Sequence, residues 1–237
     1  MRVTFLAHDG FLIELNTVCL LFDWWKEPIP PLPDKPLLVF VSHRHEDHFN
    51  PEVFTLAERK ADIQFLLGSD FHLLSRNLEK WRLTPEAAAK CRRCGKHDVF
   101  QPLPAVTVET FPSTDEGVAW MVTAEDKAIF HAGDLNWWHW AEEGDAWNRN
   151  MEANFKRYTE PLRGRRADLA MLPLDPRLGS GGDLGPDYFL GLMDVRRFFP
   201  MHQWDHFEFT DEFLKRYPQF APITVKIHHN LETFQLD

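Results

Sequence analysis

The stretch Ser42-His43-Arg44-His45-Glu46-Asp47-His48 decides how this chain is read. Of the 12 histidines in the chain, three fall within six residues here. The stretch follows Leu37-Leu38-Val39-Phe40-Val41, a fully apolar run that suits a strand buried on both faces. It precedes Asn50-Pro51-Glu52, which supplies an N-cap, a proline at the first helical position and an acid in the first turn. The histidines therefore lie in a tight loop at the carboxyl end of a strand, a usual active-site position in a layered α/β fold. Arg44 separates His43 from His45, so both imidazoles can face one side, while Asp47 and His48 can address a second position nearby. Imidazole nitrogen and carboxylate oxygen are ligands of Zn(II), Mn(II) or Fe(II). The competing reading is a histidine-rich solvated loop. Four ligand-type residues in this spacing behind a buried strand favour the metal.

Two later segments add to this. His131-Ala132-Gly133-Asp134 follows the strand-like Ala128–Phe130. Gly133 permits a sharp turn or a close approach, and the Asp134 carboxylate has two oxygens that can bridge two cations. Pro200-Met201-His202 ends the apolar run at Phe198-Phe199. Taken alone, His202 reads better as a satisfied structural histidine.

In this order the three pieces resemble the metallo-β-lactamase superfamily of metal-dependent hydrolases. The motif His-x-His-x-Asp-His is complete at His43, His45, Asp47 and His48, the Gly-Asp stands at Gly133-Asp134 and the Pro-x-His at Pro200–His202. The start, Ala7-His8-Asp9-Gly10-Phe11-Leu12-Ile13 followed by Leu20-Leu21-Phe22-Asp23, is similar to the single-domain branch related to the ascorbate-phosphate lactonase. The resemblance runs from about residue 1 to 205 and implies an α/β fold, a four-layer αββα sandwich with metals at one edge. We expect one such domain over residues 1–237. The resemblance implies one metal position at His43 and His45, and a second at Asp47, His48 and His202, with Asp134 bridging. It also places Asp23 behind the ligands, orienting an imidazole. Asp47, and His8 as a substrate-contacting or supporting group, are the catalytic candidates; a plain core role for His8 is the alternative.

One ligand of the pattern is absent. The third histidine should follow the strand Val106–Phe111, where this chain reads Pro112-Ser113-Thr114-Asp115-Glu116-Gly117. Three readings are open. Asp115, or else Glu116 or Thr114, replaces the imidazole; or the first position is weak and one metal binds; or hydrolysis has been lost. Asp115 is the favoured ligand candidate, and its oxygen would shift preference toward Mn(II) or Fe(II). Its competing role is capping the turn before Gly117. We expect one or two divalent ions per chain, zinc first, with manganese or iron as alternatives.

The expected function is hydrolysis of an ester, lactone or phosphodiester by a metal-activated water. The alternatives are a metal-binding or regulatory protein with a degenerate site, and an iron-dependent redox enzyme on the same fold. Trp24-Trp25, Trp137-Trp138, Trp140 and Trp204 closely follow Asp23, Asp134 and His202, which suggests an aromatic cleft wall as readily as core packing. Asp175-Pro176-Arg177 follows a strand, so Arg177 reads as an anion contact or, slightly better, as a surface loop residue.

The 237 residues carry 26 basic and 36 acidic side chains, a formal net charge of -10. Such a surface disfavours nucleic acid and anionic membranes, leaving a small-molecule substrate. No apolar run reaches the ~18 residues of a spanning helix. The N-terminus lacks the apolar core of a signal peptide, and Cys19, Cys91 and Cys94 make no disulfide framework. The expectation is a soluble, cytoplasmic protein. Cys91-Arg92-Arg93-Cys94 is read as a reduced, inert pair on a largely helical stretch, residues 70–93. The remaining expected elements include a helix over Met151–Leu162 and a last strand over Ile223–Ile227.

Overall fold

Alternation of apolar side chains builds two sheets that face one another. A computed structural model describes residues 1–72 and 75–236. In chain order the strands are β1 (Arg2–Ala7), β2 (Gly10–Glu14), β3 (Cys19–Phe22), β4 (Leu37–Val41), β5 (Ile63–Leu67), β6 (Cys91–Arg93), β7 (Val99–Leu103), β8 (Val106–Pro112), β9 (Val118–Ala124), β10 (Lys127–His131), β11 (Arg166–Ala167), β12 (Leu169–Pro173), β13 (Asp194–Val195), β14 (Phe198–Met201) and β15 (Thr233–Gln235). The helices are α1 (Leu56–Arg59), α2 (Ser75–Lys80), α3 (Pro85–Ala88), α4 (Asp145–Thr159), α5 (Leu184–Leu192) and α6 (Phe209–Arg216).

The first sheet has the order β15-β1-β2-β3-β4-β5-β6 and the second β14-β12-β10-β9-β8-β7. β1 to β3 form an antiparallel meander, after which β3 to β6 run parallel. The second sheet repeats the plan. β7 to β10 are antiparallel, and β10, β12 and β14 are parallel. Successive side chains of a strand point to opposite faces. Phe5, Phe11, Phe22 and Phe40 accordingly join the core shared with Val108, Trp120 and Phe130 of the second sheet. Leu6, Leu12, Leu21 and Val39 point the other way, onto Phe54, Trp81 and Ala87 of the outer layer. Phe155 of α4, Phe189 of α5 and Phe213 of α6 cover the second sheet from its far side. The result is the expected four-layer αββα sandwich.

Three local expectations are corrected. Residues 91–93 form the edge strand β6 rather than helix, so Cys91 and Cys94 flank a strand. Burial pushes both thiols up to about 12, consistent with the inert reduced pair. Helix α4 begins at Asp145, six residues early, with Gly144 at its N-cap and Asp145 as the acid of its first turn. Ile223–Ile227 is not a strand. Only Thr224 bridges to Phe198, and β15 pairs with β1 instead.

The topology sends strand ends to one edge. Ser42 and His43 leave β4, Ala132 to Asp134 leave β10, Asp175 follows β12 and His202 follows β14. His8 and Asp9 leave β1, Asp23 leaves β3, and Ser113 to Asp115 leave β8.

Candidate metal centre

Two groups of donor atoms meet at this edge. In the first, His43 Nε2 and His45 Nδ1 are 2.9 Å apart. Asp115 Oδ2 lies 3.5 Å from His45 Nδ1, and Asp134 Oδ2 lies 3.6 Å from His43 Nε2. All four residues offer donor atoms within 4.8 Å of one another. In the second, the other Asp134 oxygen, Oδ1, lies 3.3 Å from His48 Nε2 and 3.4 Å from His202 Nε2. Asp134 thus faces both groups, one oxygen each. Asp47, expected as a ligand of the second position, borders the same cleft but belongs to neither group of converging donors; its Oδ2 lies 3.4 Å from His8 Nε2.

The residues present fit a divalent cation. His48 Nε2 and Asp134 Oδ1 are buried and hydrogen-bonded to nothing, although they face each other. Buried polar atoms normally find partners. Orphaned nitrogen and oxygen atoms converging on one point are the arrangement an ion satisfies.

The donor nitrogens are aimed from behind. Asp23 accepts from the Ser42 backbone N–H at 2.7 Å and from His48 Nδ1 at 2.9 Å, which leaves His48 Nε2 toward Asp134. Asp175 accepts from His202 Nδ1 at 3.0 Å and does the same for that ring. A carboxylate behind each imidazole fixes its tautomer and raises its basicity. His8, Asp23 and His202 all hold positive φ, at 55°, 38° and 62°. Such strain clusters at functional sites. Two glycines let three strand ends pack this closely. A Cβ on Gly117 would stand 1.9 Å from the Ser42 carbonyl oxygen, and one on Gly133 would stand 2.6 Å from Ser42 Cβ.

A sequence pattern described as a beta-lactamase superfamily domain matches residues 2–146, more than half of the chain. The chain belongs to the β-lactamase superfamily. A protein of Mycolicibacterium smegmatis, provisionally named a Rieske 2Fe-2S iron-sulfur protein, is 35% identical over 95 residues, or 34% of this chain and 18% of its own length. The UPF0173 metal-dependent hydrolase of Desulforamulus reducens is 37% identical over 67 residues, covering 27% of this chain and 29% of that protein. The chain spans less than a third of the length of either curated relative. The solved structure of Igni18, a metallo hydrolase from Ignicoccus hospitalis, has a TM-score of 0.65 at 17% identity, covering 100% of this chain and 99% of that one. That likeness supports the β-lactamase superfamily fold.

Against this superfamily pattern, the place of the missing histidine is now visible. Of the three substitutes considered from the sequence, Asp115 alone stands beside His43 and His45. The Thr114 hydroxyl donates to the Asn136 carbonyl at 2.7 Å and ties down the loop after Asp134. Glu116 turns to Arg44, 3.6 Å away.

Burial and charge set the protonation of the site. Burial, with His48 nearby, brings His43 down to about 3, and burial brings His8 down to about 4 against the pull of Asp47. Both are neutral imidazoles. Burial raises Asp134, but His48 and His202 outweigh it and hold its carboxyl well below the usual range. Burial also raises Asp47, but the hydrogen bond from His8 and the charge of His48 win, so Asp47 is an anion. Asp115 is raised by burial and by Asp134.

A cleft of about 490 Å³ opens over these residues, lined by His45, Asp47, Asp115, Trp138, Trp140 and Arg177 among others. The aromatic wall expected from the tryptophans is thus partly present. Trp138 and Trp140 lie parallel at 8°, and Trp138 Nε1 donates to the Asp134 carbonyl at 3.0 Å. Trp137 packs instead on Phe155 and Tyr188 in the core. Trp25 and Trp204 pack around His8. Arg177, for which the sequence left an anion contact or a surface-loop position open, lines the cleft. Its guanidinium sits 4.4 Å from the Trp204 ring and is held by Asp175.

Sequence reasoning missed Asp9 and Asn148. Asp9 reads as half of an Asp-Gly turn, yet its side chain is fully buried beside His48. Asn148 of α4 bonds the Trp140 backbone N–H at 3.1 Å and carbonyl at 2.9 Å, pinning the tryptophan wall. A polar residue inside a polar helix turn gives no sequence signal.

Proposed function

We propose that the protein is a metal-dependent hydrolase that acts on an ester, lactone or phosphodiester of a small substrate. The observation that carries this reading is Asp134, with one oxygen toward His43 and the other toward His48 and His202. In this reading His43, His45 and Asp115 would hold one cation and Asp47, His48 and His202 a second, with Asp134 available to both. Bound divalent ions supply Lewis acidity, which brings the pKa of a held water toward ~7.

The chain's own residues do the rest. Asp47 is ionised and reaches the cleft, so it accepts a hydrogen bond from the attacking water and orients it. Its low basicity makes it an orienting group more than a proton sink. Neutral His8 holds Asp47 in place from the buried side. Trp138 and Trp140 form an apolar face beside the reacting bond, which suits a substrate with a ring or other apolar part. The test is turnover of a panel of esters, lactones and phosphodiesters by metal-loaded protein, with Asp47→Ala and Asp134→Ala as controls. Hydrolysis that both variants leave unchanged would overturn the reading.

A second reading, redox chemistry at iron, is favoured by one observation: an oxygen donor, Asp115, stands where the superfamily pattern has nitrogen. Oxygen ligands favour the harder metals. Iron-loaded protein that consumes dioxygen with a reductant, and hydrolyses nothing in the panel, would establish this reading over the first.

A further inference from the structure

Asp9 is a buried acidic residue of the site to which neither the superfamily pattern nor the ligand set above gives a role. Its side chain is fully buried, and neither carboxylate oxygen has a hydrogen-bond partner. The residue is anchored from across the sandwich, because His131 Nε2 donates to its backbone carbonyl at 2.9 Å. His131 is fixed in turn, since its Nδ1 accepts from the Gly133 N–H at 3.1 Å and its ring stacks on Phe22. His131 thus ties the Asp9 backbone to the loop that also carries Asp134.

A buried carboxylate with no donor is costly unless a cation offsets it. Among the described residues the ion-pair contact of Asp9 is His48, whose Nδ1 lies 3.3 Å from Oδ2. That nitrogen already serves Asp23 at 2.9 Å. Asp9, His8, His48 and His202 offer donor atoms within 4.8 Å of one another, all buried. The spacing is one a single cation can span.

We propose that Asp9 is a further acidic residue of the metal centre, giving a carboxylate oxygen to the cation held by His48 and His202. The inference rests on the reading of this edge as a metal centre. With Asp115 and Asp9 both contributing oxygen, the centre is harder and its preference shifts toward Mn(II) or Fe(II).

Asp9→Asn keeps the shape and removes the charge. Binding of Co(II) and Mn(II) to metal-stripped protein is measured for the wild type and for Asp9→Asn, together with the visible spectrum of the cobalt forms and the melting temperature of the metal-free forms. The expected result is at least tenfold weaker binding, a changed cobalt spectrum and, at a pH high enough that His48 and His202 carry no extra proton, a metal-free melting temperature no lower than that of the wild type. Unchanged affinity and spectrum would overturn the proposal. So would weakened binding accompanied by a lowered metal-free melting temperature at that pH, since that marks a structural role. If Asp9→Asn does not fold, Asp9→Ser is read in the same way. Wild-type protein that binds neither ion removes the metal-centre reading itself, and this inference with it.

Discussion

Asp175 and His202 are joined by a 3.0 Å hydrogen bond from the imidazole Nδ1 to Oδ2, and the same oxygen takes the Arg177 guanidinium at 2.6 Å. One buried carboxylate thus aims a candidate ligand and anchors the cation at the cleft rim. Burial raises the Asp175 carboxyl, but His202 and Arg177 outweigh it and keep it ionised.

Asp175→Asn should therefore disturb both ends. Loss of a carboxylate behind a metal-bound histidine typically costs about 10–100-fold in metal affinity or activity. Arg177→Ala should leave metal affinity near the wild-type value and raise KM for anionic substrates. Metal titrations beside steady-state kinetics separate the two. Equal metal loss in both variants would contradict the arrangement.

The tryptophan wall makes a prediction of a different kind. Trp140→Ala should leave metal content unchanged and raise KM for substrates with an apolar ring more than for those without. Asn148→Ala should do the same more weakly, because it frees the Trp140 backbone. Indifference of KM to both changes would place the substrate elsewhere.

The pH response of the metal-free protein follows from His48 and His202. Burial lowers both, but Asp134 and Asp9 outweigh it and raise both above their usual value. Each contributes stability in full below the unfolded-state value of about 6.5. That contribution is lost as pH rises through the folded-state pKa. Metal binding needs the donor nitrogens free of protons, so affinity should rise over the same interval. The metal-free melting temperature should fall as pH is raised above about 6.5, while Mn(II) binding tightens. A metal-free melting temperature that climbs over that interval would contradict the assignment.

Gly117 tests the packing that brings the strand ends together. Gly117→Ala puts a Cβ 1.9 Å from the Ser42 carbonyl at a φ of +71°. Overpacking alone costs about 1–3 kcal/mol, and the positive φ adds to it. Thermal melts should show clear destabilisation, together with reduced metal binding as Ser42 and His43 shift. A variant that melts and binds like the wild type would show that this contact yields without cost.

Much of this was readable in the residues themselves. The buried run Leu37–Val41 and the loop behind it are local features, and β4 has the expected bounds. The same holds for His43, His45, His48, Asp134 and His202, which stand at strand ends that the apolar pattern marks. What escaped depends on contacts distant in sequence. Asp9 becomes a site residue only because β1 lies where β4 and β14 also end, and β15 is a short strand made by pairing with β1. Ile223–Ile227 has strand composition, but its pairing with the second sheet stops at one bridge. Arg177 looked like loop surface because nothing local reveals the grip of Asp175.

The most direct test of the account is the count of divalent metal per chain, by elemental analysis of protein prepared without chelator, in the wild type and in Asp115→Ala. A shared centre with Asp115 in the place of an imidazole predicts about two equivalents for the wild type and about one for the variant. A wild-type protein with only trace metal, or a variant that keeps the full wild-type content, would contradict it.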